Sequence, residues 1–166
     1  MNFLIYLKDG KSLLLKKENI FYIIFIIIIF LFDRYAKLNI ISHFNENTYY
    51  VNDYINFDLI WNTGIGFGFL KSENSMIYNS ITIVIGAVIL GLFFFSFKSK
   101  IFEKYAMGII VGGALGNFYD RIIYKSVPDF IDIHYNNFHW FTFNVADIFI
   151  SFGIILFLLS GISKAN

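Results

Sequence analysis

Thirteen uninterrupted apolar residues, Ile20 to Phe32, open a chain whose remaining length carries three more segments of the same character. About 20 such residues cross the hydrocarbon core of a bilayer as a helix. Lipid offers no partner for a free N–H or C=O, so such segments must satisfy their own backbone. The spans read as Ile20–Lys37, Met76–Phe97, Ile101–Ile123 and Phe143–Ile162. Charged residues make up only 15% of the 166 positions, against about 25% in soluble domains. The expected class is therefore a single-domain, all-α membrane protein with four transmembrane helices. The first run follows a long polar lead and is succeeded by DRYAK rather than a small-x-small site, so it reads as an anchor and not a cleaved signal.

Lysines set the expected orientation. Lys8, Lys11, Lys16, Lys17, Lys98, Lys100, Lys104 and Lys164 fall on one side, and Arg34, Lys37, Lys71, Arg121 and Lys125 on the other. Eight against five favours both termini in the cytoplasm. The loops 38–75 and 124–142 then face outward. In the first of them, Val51 to Trp61 alternates with period two, as a half-buried strand does, and leads into the glycine-rich NTGIGFGF. A small extracytoplasmic β-sheet is expected there. A net charge of +1 with no basic block argues against nucleic acid, and the absence of cysteine removes disulfides, thiol nucleophiles and cysteine metal sites.

The polar residues within this apolar frame carry the functional signal. Gly108, Gly112 and Gly116 recur every four residues, a spacing that lets helices approach closely in lipid. On the same helix Gly113, Gly116, Asn117, Asp120 and Arg121 fall within one stripe about 100° wide. The plain reading is a packing helix closed by an Asp–Arg pair. Ionisable groups inside a membrane nonetheless point first to function. Asp147 lies about one turn inside a helix read from Phe143, sharing a face with Ser151 and close to Asn144; helix capping is the competing reading. Asp129, in an extended SVPDFIDIHY, shares its face with Val127, Ile131, Ile133 and Tyr135, where desolvation favours the neutral acid. Two acids pushed in opposite directions are what acid–base chemistry near neutral pH requires.

Five blocks in order, DRYAK (Asp33–Lys37), NTGIGFG (Asn62–Gly68), GGALGNFYDR (Gly112–Arg121), VPDF (Val127–Phe130) and FNVAD (Phe143–Asp147), resemble the bacterial lipoprotein signal peptidase family, signal peptidase II. The resemblance implies a membrane aspartyl endopeptidase that cuts preprolipoproteins just before a cysteine bearing diacylglycerol, and that is blocked by the cyclic peptide globomycin. It implies Asp129 and Asp147 as the catalytic pair, and Asn62, Asn117, Arg121 and Asn144 as substrate contacts. Asp33, Lys37, Gly64 and Asp120 are expected in support, with Asp33 and Lys37 pairing across a helix turn to brace the outer sheet. No cofactor is implied. Expected partners are the lipidated precursor and membrane lipid, met by a monomer at the outer face of the cytoplasmic (inner) membrane. The sequence departs from the family pattern at Pro128, which removes an N–H beside Asp129, and at Arg34, Ala36 and Gly66.

Two rival readings follow from residues alone. Asp129, Asp132, His134 and His139 could ligate a metal, but they match no HExxH and no common zinc spacing, and His139 beside Trp140 reads as an interfacial residue, so no metal site is expected. A small proton-coupled transporter could use Asp120, Arg121 and Asp147, yet no inverted repeat of broken helices is visible.

Overall fold

A computed structural model describes residues 14–43, 48–64, 75–136 and 138–162. Four long helices, α1 (Lys17–His43), α2 (Ser75–Ser96), α3 (Ile101–Ile123) and α4 (Val145–Ile162), are joined to a four-stranded antiparallel sheet. Its strands are β1 (Tyr49–Asn52), β2 (Ile55–Asn62), β3 (Val127–Tyr135) and β4 (Phe138–Phe143), in the order β1-β2-β3-β4.

Three helices, α1, α2 and α4, are long and apolar enough to cross a membrane. α3 matches them in length but not in hydropathy, because it carries Glu103, Lys104, Asn117, Asp120 and Arg121. The physical reason is its position. α3 packs against all three other helices, and twelve of its residues, Lys104, Asn117, Asp120 and Arg121 among them, are buried. A helix sheathed by its neighbours need not be apolar all round. The outer helices invert the usual rule: α1 turns Phe21, Ile28 and Phe32 outward and buries Asn19, Asp33, Arg34 and Lys37.

The glycines of α3 set these close approaches. A methyl at Gly112 would meet Ile29 Cβ at 2.7 Å and the Ile26 carbonyl at 3.1 Å. One at Gly116 would collide with the Asp33 carboxylate, so α1 rests on bare backbone. Gly113 does the same for α4, whose Ala146 carbonyl lies 2.7 Å from the position of an added Cβ.

The outer strand expected over Val51–Trp61 is instead a hairpin. The chain reverses at Asp53–Tyr54, where Asn52 Oδ1 accepts from the amides of Tyr54 (2.9 Å) and Ile55 (3.0 Å). Alternation continued through the turn, which hid it; the asparagine side chain that makes such a turn was the local signal. Two bulges shape the rest of the sheet. Asp58 and Leu59 of β2 oppose Phe130 alone, and β4 carries Trp140 as an extra residue between Phe141, opposite Ile133, and His139, opposite His134. Gly66 and Gly68 of the glycine-rich segment lie outside the described residues.

Candidate active site

At the end of the bundle nearest the sheet, three elements deliver the acids and their neighbours. β3 carries Asp129, the start of α4 carries Asp147, and the last turns of α3 carry Asn117, Asp120 and Arg121. Helix α4 begins at Val145, not Phe143, which belongs to β4. Asp147 is therefore the third residue of the helix and forms a reciprocal cap with Asn144. The Asp147 amide donates to Asn144 Oδ1 (3.2 Å), and the Asn144 amide donates to Asp147 Oδ2 (3.1 Å). The capping reading is the one the bonds show, and the cap engages only one oxygen of the Asp147 carboxylate.

Asn144 also reaches the other acid. Its Nδ2 donates to Asp129 Oδ1 at 2.6 Å, so one side chain touches both aspartates. Asn62 Nδ2 donates to Asp129 Oδ2 (2.8 Å), and Asn117 Nδ2 donates to Asp147 Oδ1 (2.8 Å). Each of the four carboxylate oxygens thereby holds one amide N–H. Asn62, Asn117 and Asn144, expected to contact substrate, are bonded to the acids themselves. Asn62 is fixed in turn by the Gly64 amide, which donates to its Oδ1 (2.8 Å).

Asp129 is 4% exposed. Burial first, and the nearby charge of Asp147 second, raise its pKa to about 6, while the amides of Asn62 and Asn144 pull the other way. Its face was read as the apolar one, but Phe130, Asp132 and His134 on the opposite face are buried as well. Pro128 causes no break. It is the second residue of β3, where the strand pairs with β2 alone and β4 has not yet joined.

Arg121 and Asp120 do not pair. Arg121 donates to the Asn117 carbonyl (3.1 Å) and the Gly64 carbonyl (3.1 Å), tying α3 to the end of β2. Its Nε is buried with no partner among the described residues. Asp120 instead binds Arg34 and Lys37 of α1. Lys37, fully buried, donates to Asp120 Oδ2 (2.7 Å) and Asn117 Oδ1 (2.7 Å) and forms an ion pair with Asp33 Oδ2 at 2.9 Å. Asp33 Oδ1 accepts from the Ala146 amide at 2.9 Å. Asp33 and Lys37 thus brace α3 and the N-terminus of α4, not the sheet. Arg34, given no role beforehand, is the cation the sequence concealed. Its guanidinium also lies 4.7 Å over the Tyr119 ring, and its partner Asp120 is 86 residues away.

Lys37 has a second effect. An ammonium cannot accept a hydrogen bond, so it holds the oxygen end of the Asn117 amide toward itself. The NH₂ end is thereby presented to Asp147. The salt-bridge cluster sets the tautomer-free orientation of a donor on the acid pair.

Asp132, His134 and His139 converge on the face of β3 opposite Asp129. His139, read as interfacial, places Nδ1 2.7 Å from Asp132 Oδ2. Asp129 takes no part in that group.

Comparison with known proteins adds the decisive observation: residues 25–163 match the family model described as signal peptidase (SPase) II. The chain belongs to the signal peptidase II family. Among its relatives, the lipoprotein signal peptidase of Pelagibacter ubique is 47% identical over 140 residues, covering 82% of this chain and 84% of that one. That of Anaplasma phagocytophilum is 39% identical, covering 70% and 74%. A bacterial membrane enzyme solved by the in meso method at 2.3 Å resolution superposes with a TM-score of 0.72 at 27% identity, covering 87% of this chain and 89% of that one. The signal peptidase II match takes in α3, α4 and the whole sheet.

Proposed function

We propose that Asp129 and Asp147 are the acid–base pair of a peptidase that removes signal peptides from lipoprotein precursors, cutting before a diacylglyceryl-modified cysteine. The single observation that carries the reading is Asn144, whose side-chain Nδ2 donates to Asp129 Oδ1 and whose backbone amide donates to Asp147 Oδ2, so that one residue joins two carboxyls from separate elements. Two carboxyls so close hold one proton between them. Asp129, raised to about 6, is the member that keeps it. Asp147, with the α4 amides behind it, is the ionised base.

The chemistry then runs in one sequence. Asp147 removes a proton from water as the water attacks the scissile carbonyl. Asp129 donates its hydrogen bond to the carbonyl oxygen, and the pair returns a proton to the departing amine. Arg121, close enough to influence both acids, balances the single negative charge of the pair. Arg121 and the three asparagines also supply the donors that meet an extended peptide when substrate displaces part of the amide set.

The same reading takes α3 as a fourth span, sheathed by the other three. The acid pair lies at the end of the bundle opposite Lys98 and Lys100, since Lys104 meets Asn19 at the far end. Lysines at that end favour cytoplasmic termini and an active site at the outer face. The same reading takes the enzyme to act as a monomer. Lipid tails then lie along the exposed apolar faces of the helices while the peptide reaches the sheet.

The test is incubation of the purified protein in micelles with a lipidated preprolipoprotein and with its unlipidated counterpart. A signal-length fragment from the first alone, blocked by globomycin, is expected. No fragment, or equal cleavage of both, overturns the reading.

A further inference from the structure

The hairpin of β3 and β4 carries a group that the acid pair does not use. Asp132 and His134 are two residues apart on one strand and share a face; both are buried, at 4% and 7% exposure. The bulge at Trp140 brings His139 directly opposite His134, and their rings stack with centroids 5.3 Å apart. Without that extra residue Trp140 would face His134. Bulges re-aim side chains in this way. Asp132 Oδ2 lies 2.7 Å from His139 Nδ1 and 3.5 Å from His134 Nδ1. The ligand atoms of the three residues all fall within 4.8 Å of one another. His134 Nδ1 is buried with no hydrogen-bond partner among the described residues, and it is turned toward the carboxylate. A lone pair left bare in such a place calls for something to bind it.

We propose that Asp132, His134 and His139 form a site for one borderline divalent d-block cation of the Zn²⁺ class, separate from the acid pair. Two imidazoles and one carboxylate suit such ions, whereas magnesium and calcium prefer oxygen alone. Bonds of about 2.0–2.2 Å in a tetrahedral arrangement set ligand atoms about 3.3 Å apart. The observed spacings bracket that value, and His139, an exposed side chain, supplies the adjustment. His139 binds the ion as the neutral Nε2–H tautomer, its single N–H on Nε2 and its Nδ1 lone pair on the metal, so that coordination releases no proton from the neutral ring. The fourth position stays open to water. The three residues match no common zinc spacing because the histidines meet across two strands rather than along a helix. A bound ion staples β4 to β3, the strand that presents Asp129.

The experiment uses the full chain in detergent, without a polyhistidine tag, stripped with chelator and titrated with Zn²⁺ alone by equilibrium dialysis. One Zn²⁺ per chain is expected. His134→Gln and His139→Gln weaken binding by at least about tenfold, and the Asp129→Asn/Asp147→Asn double variant keeps it. A ligand exchange gives a readout independent of lost folding. The chain has no cysteine, so Co²⁺ on His139→Cys gains a thiolate charge-transfer band that Co²⁺ on the unaltered chain lacks. Absence of stoichiometric Zn²⁺, equal uptake by His139→Gln, or no new band on His139→Cys overturns the proposal.

Discussion

Two buried constellations of charge meet α3 one turn apart, at Asp120 and at Asn117, and they are built on opposite principles. In the first, Asp33, Arg34, Lys37 and Asp120 pair two acids with two cations, and Lys37 pairs with both acids. In the second, Asp129 and Asp147 face each other with no ion pair to either among the described residues; amides alone bond their oxygens. Paired charge is inert because neither partner can change its protonation without stranding the other. Acids bonded only by neutral donors remain free to exchange a proton. The same residue type is structural in one place and, on the proposed function, reactive in the other, and its bonding partners make the difference.

The largest effect expected from this contrast is on turnover. Asp129→Asn and Asp147→Asn each lower cleavage by about 10⁴-fold or more while thermal unfolding occurs no earlier than in the parent protein. Retained cleavage by either purified variant breaks the contrast from one side. Lys37→Met tests the other side. It strands Asp33 and Asp120 without their shared cation and is expected to cost about 3–5 kcal/mol of stability, read by thermal or denaturant unfolding. A Lys37→Met protein as stable as the parent would make the first cluster dispensable.

The pH response sharpens the comparison further. Asp129 has a folded pKa of about 6, above its unfolded value, so the folded state favours its protonated form. Its contribution to stability is therefore full below about 4 and lost as pH rises through about 6, a change on the order of 3 kcal/mol. The difference in stability between the parent and Asp129→Asn, followed from pH 4 to 7 (about one unit beyond the folded pKa), should show that slope. Parallel curves would remove Asp129 from the account. The smallest effect is expected at Asn62. Asn62→Ala removes a hydrogen bond to the protonated carboxyl, worth about 0.5–1.5 kcal/mol, so kcat/KM falls by about two- to tenfold. Its amide lowers the Asp129 pKa, so the alkaline limb of the kcat/KM profile moves to higher pH in the variant. An unmoved limb would assign that limb to another group.

The sequence was most legible where a period repeats. The third span, read as Ile101–Ile123, matches α3 residue for residue, because Lys100 and the Tyr124–Lys125–Ser126 turn bound it sharply. The acids were legible as charges in apolar settings. Their bonding was not, because it runs between elements. Nothing local tells Asp120 to choose Arg34 and Lys37 over its neighbour Arg121, and nothing in FNVAD announces that Asn144 touches Asp129 fifteen residues earlier. The start of α4 was misplaced by two residues because Phe143 is as apolar as the helix it precedes. The asparagine after it was the cap signal that corrects this.

The bond from the Ala146 amide to Asp33 spans 113 positions of chain. The first helix is therefore made with Asp33, Arg34 and Lys37 still lacking Asp120 and the Ala146 amide, and only the last helix completes the cluster. On the proposed reading a chain without its final segment owns an anchor but no blade.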